Sequence, residues 1–246
     1  MKIKEILQIT NHRPWKMPAE EWKYYQEWND AVFLHWQVEP AELREFVPPE
    51  LEIDLYDDKA WVSVVAFTMQ KIRPRNLPPF PPVSDFHEIN IRTYVKNNNK
   101  TGVYFLSIEG GTGISCRVAR TLSELPYRYS RMKRQECYYN SVNHKFGDRL
   151  EILYNIGGEI SHKTGPDHWL TERYALFQET PTAINEFEIH HIPWPVYTIE
   201  LTKTEVHYPR FSKLLKDAPH LAHYSPGVQV IAWDKIKTRR IARTGI

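Results

Sequence analysis

Glu88, Asn90, Arg92 and Tyr94 occupy every second position of the run Phe86 to Val95, so in a strand they share one face, while Ile89, Ile91 and Val95 share the other. A carboxyl, an amide, a guanidinium and a phenol side by side supply an acid–base group, hydrogen-bond donors and a fixed positive charge. Such a face is either a wet outer surface or the lining of a polar cavity. A second run, Leu170 to Phe177, reads the same way: Glu172 and Tyr174 share one face, and Thr171, Arg173 and Phe177 the other. Taken alone, that strand reads better as a surface ladder of Glu, Arg and Tyr. Two such strands in a closed barrel would turn one face inward, and an interior lined with Glu, Arg, Asn and Tyr would hold a small polar ligand and water.

The elements that must position these groups are mostly extended. Ala31 to Val38 and Ala60 to Gln70 read as strands rich in β-branched and aromatic residues. Pro40 to Val47 reads as a short helix stopped by Pro48-Pro49. Asn97 to Gly102 makes a hairpin turn between Thr93 to Lys96 and Val103 to Ile108. Leu122 to Met132 reads as a helix opening with Leu125-Pro126-Tyr127, followed by strands at 138–145, 150–155, 169–178, 187–192 and 197–206. Shorter helical segments are expected at Ile3 to Leu7, Ala19 to Tyr25 and Pro209 to Leu215. The proline-dense Arg73 to Pro82 predicts a stiff polyproline-like connection, or a ligand for a proline-recognising module. So many short strands exceed one open sheet and predict a mainly β (α+β) fold, an antiparallel barrel or sandwich. No repeat or composition shift divides residues 1–246, so one domain is expected, with 1–27 as an N-terminal extension and 235–246 as a basic tail.

Composition narrows the function classes. With 246 residues and 41% apolar content the chain can bury a sizeable core, and 32 basic against 30 acidic residues leave a net charge of +2, so no global field favours nucleic acid or an anionic membrane. Two cysteines, Cys116 and Cys137, do not make a disulfide framework, and Met1-Lys2-Ile3-Lys4-Glu5 lacks the apolar run of a secretory signal. A cytoplasmic location is expected. No apolar run approaches the roughly 20 residues of a membrane-spanning helix.

Familiar motifs are missing. There is no Gly-x-Ser-x-Gly elbow and no phosphate loop, and the glycines at 110, 111 and 113 open no Rossmann pattern. None of the eleven histidines sits in His-Glu-x-x-His, so neither a metal nor another cofactor is expected. The basic run from Lys235 to Arg243 reads as a strand edge or tail rather than a nucleic-acid footprint. Cys116 and Cys137 have no neighbouring base and read as structural thiols.

Ordered motifs from Trp28 to Trp233 resemble the YqjF-like family of uncharacterised proteins, a branch of the acetoacetate-decarboxylase-like superfamily. They include Phe33-Leu34-His35-Trp36, Val47-Pro48-Pro49, Arg73-Pro74-Arg75, the run Phe86 to Val95, Leu125-Pro126-Tyr127, Leu170 to Tyr174 and His223-Tyr224-Ser225. The resemblance implies a closed double-cone β-barrel with a buried cavity. It also implies that Glu88 takes the place of the decarboxylases' cavity glutamate, and that Arg120 in Ala119-Arg120-Thr121 falls on their Gly-Arg-Glu arginine. Where those enzymes carry two adjacent lysines after the proline, this chain has Tyr127-Arg128. Tyrosine forms no imine, and Lys133 lies more than one helical turn away, so Schiff-base decarboxylation is expected to be absent.

Three readings of function follow. In the first, the cavity binds a small anionic or carbonyl-bearing molecule. Arg92 and Arg120 supply charge, Glu88, Asn90 and Tyr127 supply hydrogen bonds, and Glu172 and Tyr174 belong to the same ligand-binding set. In the second, Glu88 is the acid or base and Tyr127 the proton donor or oxyanion stabiliser of a lyase, hydratase or isomerase acting on a keto acid. In the third, the proline-rich loop and N-terminal tryptophans dock a protein partner. A homo-oligomer is compatible with each.

Overall fold

A computed structural model describes residues 1–240, so the part of the expected basic tail from residue 241 onward lies outside the described residues. Among the described residues the chain is mostly β. Two long strands, β1 (Tyr24–Val38) and β3 (Ala60–Pro74), run antiparallel, as their β-branched and aromatic residues lead one to expect. The short helix α2 (Pro40–Arg44), with Pro40 in its first turn, and the two-residue strand β2 (Glu52–Ile53) fill the connection. β4 (Phe86–Asn97) and β5 (Lys100–Gly110) form the expected hairpin, turning at Asn98 with φ 53°. Their pairing slips once, between Ile91 and Arg92, but the extra residue, Leu106, falls on β5. The alternation along β4 therefore survives.

The helix expected at Leu122 to Met132 lies earlier. α4 spans Gly113–Ser123 and ends at Glu124 in the left-handed conformation (φ 61°). Pro126 is thus a stop just beyond a helix end, not the first turn of a new helix. Tyr127 opens a three-residue strand, β6 (Tyr127–Tyr129), parallel to β5. Gly110 makes this possible: a Cβ there would stand 2.6 Å from Cys116 Sγ, so only glycine lets α4 pack so close to the end of β5.

Four strands follow in antiparallel succession or return to it: β7 (Arg131–Gln135), β8 (Tyr138–Asn143), β9 (Asp148–Glu159) and, later, β12 (Tyr197–His207). Between β9 and β12 come helix α5 (Gly165–Thr171), capped by Thr164, and strands β10 (Ala175–Glu179) and β11 (Ala183–His190). The strand expected over 169–178 is therefore helical at its start. A strand not expected, β13 (Leu221–Ala232), pairs with β1 along most of its length, and β14 (Ile236–Arg239) adds to β11.

The strand order β11-β10-β5-β4-β3-β1-β13 closes on itself, because Ile189 and His190 of β11 pair with Ala232 and Ile231 of β13. The ring is not wholly antiparallel: β10 joins β5 in parallel through Leu176–Val103 and Phe177–Tyr104. β12, β9, β8 and β7 continue from β13 as a ribbon. One core lies between ring and ribbon, where Val64, Ala66, Ile89 and Ile91 meet Tyr139, Leu150, Ile152 and Tyr154. A second, with Phe33, Val65, Phe67, Phe86, Tyr94 and Ile108, lies on the ring's other face. Both faces of β4 are consequently buried.

The N-terminal residues are tied to the ring. Residues 19–23 are irregular rather than helical, and β1 begins at Tyr24. Helix α1 (Ile3–Gln8) packs Ile6 on Ile231 and Trp233, and the buried Arg13 guanidinium meets Glu188 at 2.9 Å. Among the described residues no helix is long and apolar enough to cross a membrane.

Candidate functional site

The face of β4 chosen from sequence alternation opens onto a cavity of about 500 Å³, whose wall includes Phe86, Glu88, Asn90 and Arg92. The same wall continues onto the neighbouring β3 and β1, through Val65, Phe67, Phe33 and Trp28, and β11 adds Phe187 and Ile189. Helix α4 and the loop between β3 and β4 form its mouth.

Glu88 is only 2% exposed. Tyr127 Oη donates to its Oε2 at 2.8 Å, and Asn90 Nδ2 donates to its Oε1 at 3.2 Å. Both donors are neutral. Burial therefore dominates and raises the Glu88 carboxyl from 4.5 to about 7, against the smaller opposing pull of the two hydrogen bonds. Burial and the adjacent carboxylate also push the Tyr127 phenol well above its usual range. The pair can hold or release one proton near neutral pH, at Glu88 rather than at Tyr127.

Arg92, two alternations along β4, is 8% exposed, and its Nη2 donates to Leu170 O at 3.1 Å. Its Nε has no hydrogen-bond partner, and among the described residues no carboxylate stands within ion-pair distance of it. The guanidinium lies 5.6 Å from the centre of the Phe33 ring. Tyr94 extends the same face but serves the frame: its hydroxyl bonds Leu170 O at 3.0 Å and Ser63 Oγ at 2.7 Å.

The second predicted strand presents its other face. Helix α5 ends at Thr171, and the grouping by alternation holds, with Thr171 and Arg173 as the pair that reaches the cavity wall. Glu172 and Tyr174 do not. Glu172 is held by Lys163 Nζ at 2.5 Å, Tyr174 Oη at 2.8 Å and the Trp194 backbone N–H at 3.0 Å. Burial would raise this carboxyl, but the charges of His191 and Lys163 and these bonds hold it below its usual range. Arg173 pairs with Asp54 at 2.7 Å, stacks over Trp169, and keeps its Nη2 unpartnered beside the cavity. The alternation through Thr171 and Phe177 was the available sign of it.

Arg120 is exposed on α4 and is not part of the cavity wall. Arg128, next to Tyr127, points away to Glu109 at 2.6 Å and Asp148 at 3.0 Å. Lys133 is exposed on β7. Cys116 is buried with its thiol pushed up to about 11, chiefly by burial, as befits a structural role. Wall residues that sequence reasoning missed, such as Trp28, His191 and Trp194, come from segments far apart in the chain.

Comparison with known proteins identifies the family and the fold. The family model of the uncharacterized conserved proteins DUF2071 matches residues 25–229. Uncharacterized protein YqjF of Bacillus subtilis (strain 168) is 33% identical over 229 residues, covering 88% of this chain and 93% of that protein. Among solved structures, an acetoacetate decarboxylase-like enzyme from Sphingomonas wittichii RW1 aligns with a TM-score of 0.61 at 14% identity, covering 93% of this chain and 98% of the other. The enduracididine biosynthesis enzyme MppR, complexed with pyruvate, aligns with a TM-score of 0.61 at 12% identity, covering 92% and 93%. The chain belongs to the DUF2071 family of uncharacterised, YqjF-like proteins and carries the acetoacetate-decarboxylase-like fold.

Proposed function

We propose that this protein binds a small anionic, carbonyl-bearing metabolite in a closed double-cone barrel, with Arg92 receiving the anion and the Glu88–Tyr127 pair facing the carbonyl. The observation that carries this reading is Arg92: a guanidinium 8% exposed, on the cavity wall, without a carboxylate partner and with an unpartnered Nε. An uncompensated charge in so dry a place is costly, and a ligand carboxylate would offset that cost. Arg173 Nη2 offers a second donor on the cavity wall, its guanidinium lying over the same Tyr94 ring as that of Arg92. MppR, of the same fold, is described in complex with pyruvate, a keto acid, which is consistent with this chemistry.

Schiff-base decarboxylation does not belong to this reading. Tyr127 stands after the proline, Arg128 points away, and the lysine on the cavity wall, Lys235, sits at the mouth with its ammonium 3.1 Å from Glu124. A second reading, turnover of a keto acid by a lyase, hydratase or isomerase, is favoured by one fact: Glu88 titrates at about 7, where a general acid or base works best.

A thermal-shift screen of small carboxylic acids, keto acids and aldehydes tests both. Ligands that stabilise wild type should lose their effect in Arg92→Gln. Turnover of any such ligand should vanish in Glu88→Gln while binding persists. Stabilisation that survives Arg92→Gln undiminished would remove the proposed anion site.

A further inference from the structure

Most of the cavity wall is apolar; besides its buried polar groups, the less buried Gln26, Arg73, Asp234 and Lys235 also line it. Glu88, Asn90, Arg92, Tyr127 and Arg173 are its buried polar groups; the apolar Phe67, Val65 and Phe105 stand across from Glu88, Asn90 and Arg92 on the neighbouring strands, and Met69, Leu125 and Phe187 extend the wall. The wall also includes large apolar side chains that are exposed: Leu77 is 58% exposed, Phe80 63% and Leu122 54%. Leu77 and Phe80 are set there by the proline-rich segment after β3, and Phe80 is the cap of the helical turn α3 (Pro81–Ser84), which is held to α4 through Ser115 Oγ and Val83 O at 2.9 Å.

The volume agrees. About 500 Å³ falls within the roughly 300–1,000 Å³ of sites that enclose drug-sized molecules, and is far more than a three- or four-carbon keto acid fills. A short polar ligand would leave apolar wall in contact with water.

From an unpartnered guanidinium in a roomy, mostly apolar wall we infer that the ligand class is amphipathic: monocarboxylic acids whose carboxylate meets Arg92 and whose long or aromatic hydrocarbon body fills an apolar passage to the rim of Leu77, Phe80 and Leu122. The inference rests on the anion site proposed above and adds the body of the ligand to it. The proline-rich segment, which sequence alone left open as a docking motif, is thereby assigned to the mouth of the cavity.

Calorimetric titration of the full chain with straight-chain carboxylates from butyrate to decanoate, and with phenylpyruvate, tests this inference. The same titrations are made with the alcohol of each length, and with the Arg92→Gln, Phe80→Ser and Leu122→Ser variants. Each buried methylene is worth about 0.8 kcal/mol, so affinity should rise about fourfold per added carbon until the passage is full. The alcohols should bind at least tenfold more weakly than the acids. Phe80→Ser and Leu122→Ser change exposed residues and should leave butyrate unaffected while weakening decanoate several-fold. Affinity independent of length but dependent on Arg92 would overturn the amphipathic class and leave the anion site standing. Equal binding of acids and alcohols, unaffected by Arg92→Gln, would overturn the anion site and this inference with it. The same holds if no acid of any length binds.

Discussion

Replacing Glu88 with Gln isolates the cost of keeping a carboxylate in the cavity wall. Glu88 is 2% exposed and held only by the neutral donors Tyr127 and Asn90, and it titrates at about 7 instead of 4.5. At about 1.4 kcal/mol per pH unit, ionising it in the folded protein costs about 3 kcal/mol. The folded state binds this proton more tightly than the unfolded chain. The stability it contributes is therefore fully present below pH 4.5 and is lost as pH rises through about 7. Gln keeps the shape and an acceptor for Tyr127, and its amide can donate to Asn90 Oδ1, which has no partner. Urea unfolding of both proteins between about pH 5 and about pH 8 should show Glu88→Gln gaining on wild type as pH rises, by about 3 kcal/mol at the upper end, with equal m-values. Parallel stability profiles for the two proteins would refute the reasoning, because they would mean that a cation already compensates the carboxylate.

Arg173→Met should destabilise by about 1–3 kcal/mol in the same assay, since it takes one of two cations from the buried Asp54 carboxylate and leaves Lys96 at 3.1 Å. Gly110→Ala should cost about 1–3 kcal/mol, because its Cβ would meet Cys116 Sγ at 2.6 Å, and a neutral effect would mean that α4 can retreat from β5. Burial lowers the His35 imidazole well below 6.5, so this group binds its proton more weakly folded than unfolded. Its share of stability is present above pH 6.5 and falls away in acid, and His35→Gln should flatten the acid limb of the unfolding profile. Cys116, with a thiol pushed up to about 11, should resist iodoacetamide at mildly alkaline pH until the chain is unfolded.

The half of the site that lies on β4 was legible in the sequence, because strict alternation needs only local geometry, and the bulge in the β4–β5 pairing falls on the partner strand. Tyr127 was legible through its place after Pro126, although its setting was not: Pro126 closes a helix end instead of opening a helix. The grouping of Glu172 with Tyr174 and of Thr171 with Arg173 held, but the inward pair is Thr171 and Arg173. Glu172 is tied to Lys163, Tyr174 and the Trp194 backbone, which local alternation does not reveal. Arg120 was carried over by motif order, and α4 turns it to solvent. β13 was missed because Pro226-Gly227 interrupts its pattern; in the fold Gly227, with φ 131°, lies opposite Asn29 and lets the strand continue. The apolar passage could not be read at all, since its wall is assembled from β1, β3, α4 and β11.

The central claim is that Arg92, not Arg120, meets the ligand. Calorimetric titration of the best-stabilising carboxylate into wild type, Arg92→Gln and Arg120→Gln tests it directly. Loss of a buried charge-assisted contact costs about 2 kcal/mol or more, so Arg92→Gln should bind at least about 30-fold more weakly, while Arg120→Gln, altered on the exposed side of α4, should match wild type. Undiminished binding by Arg92→Gln, or a loss confined to Arg120→Gln, would contradict the account.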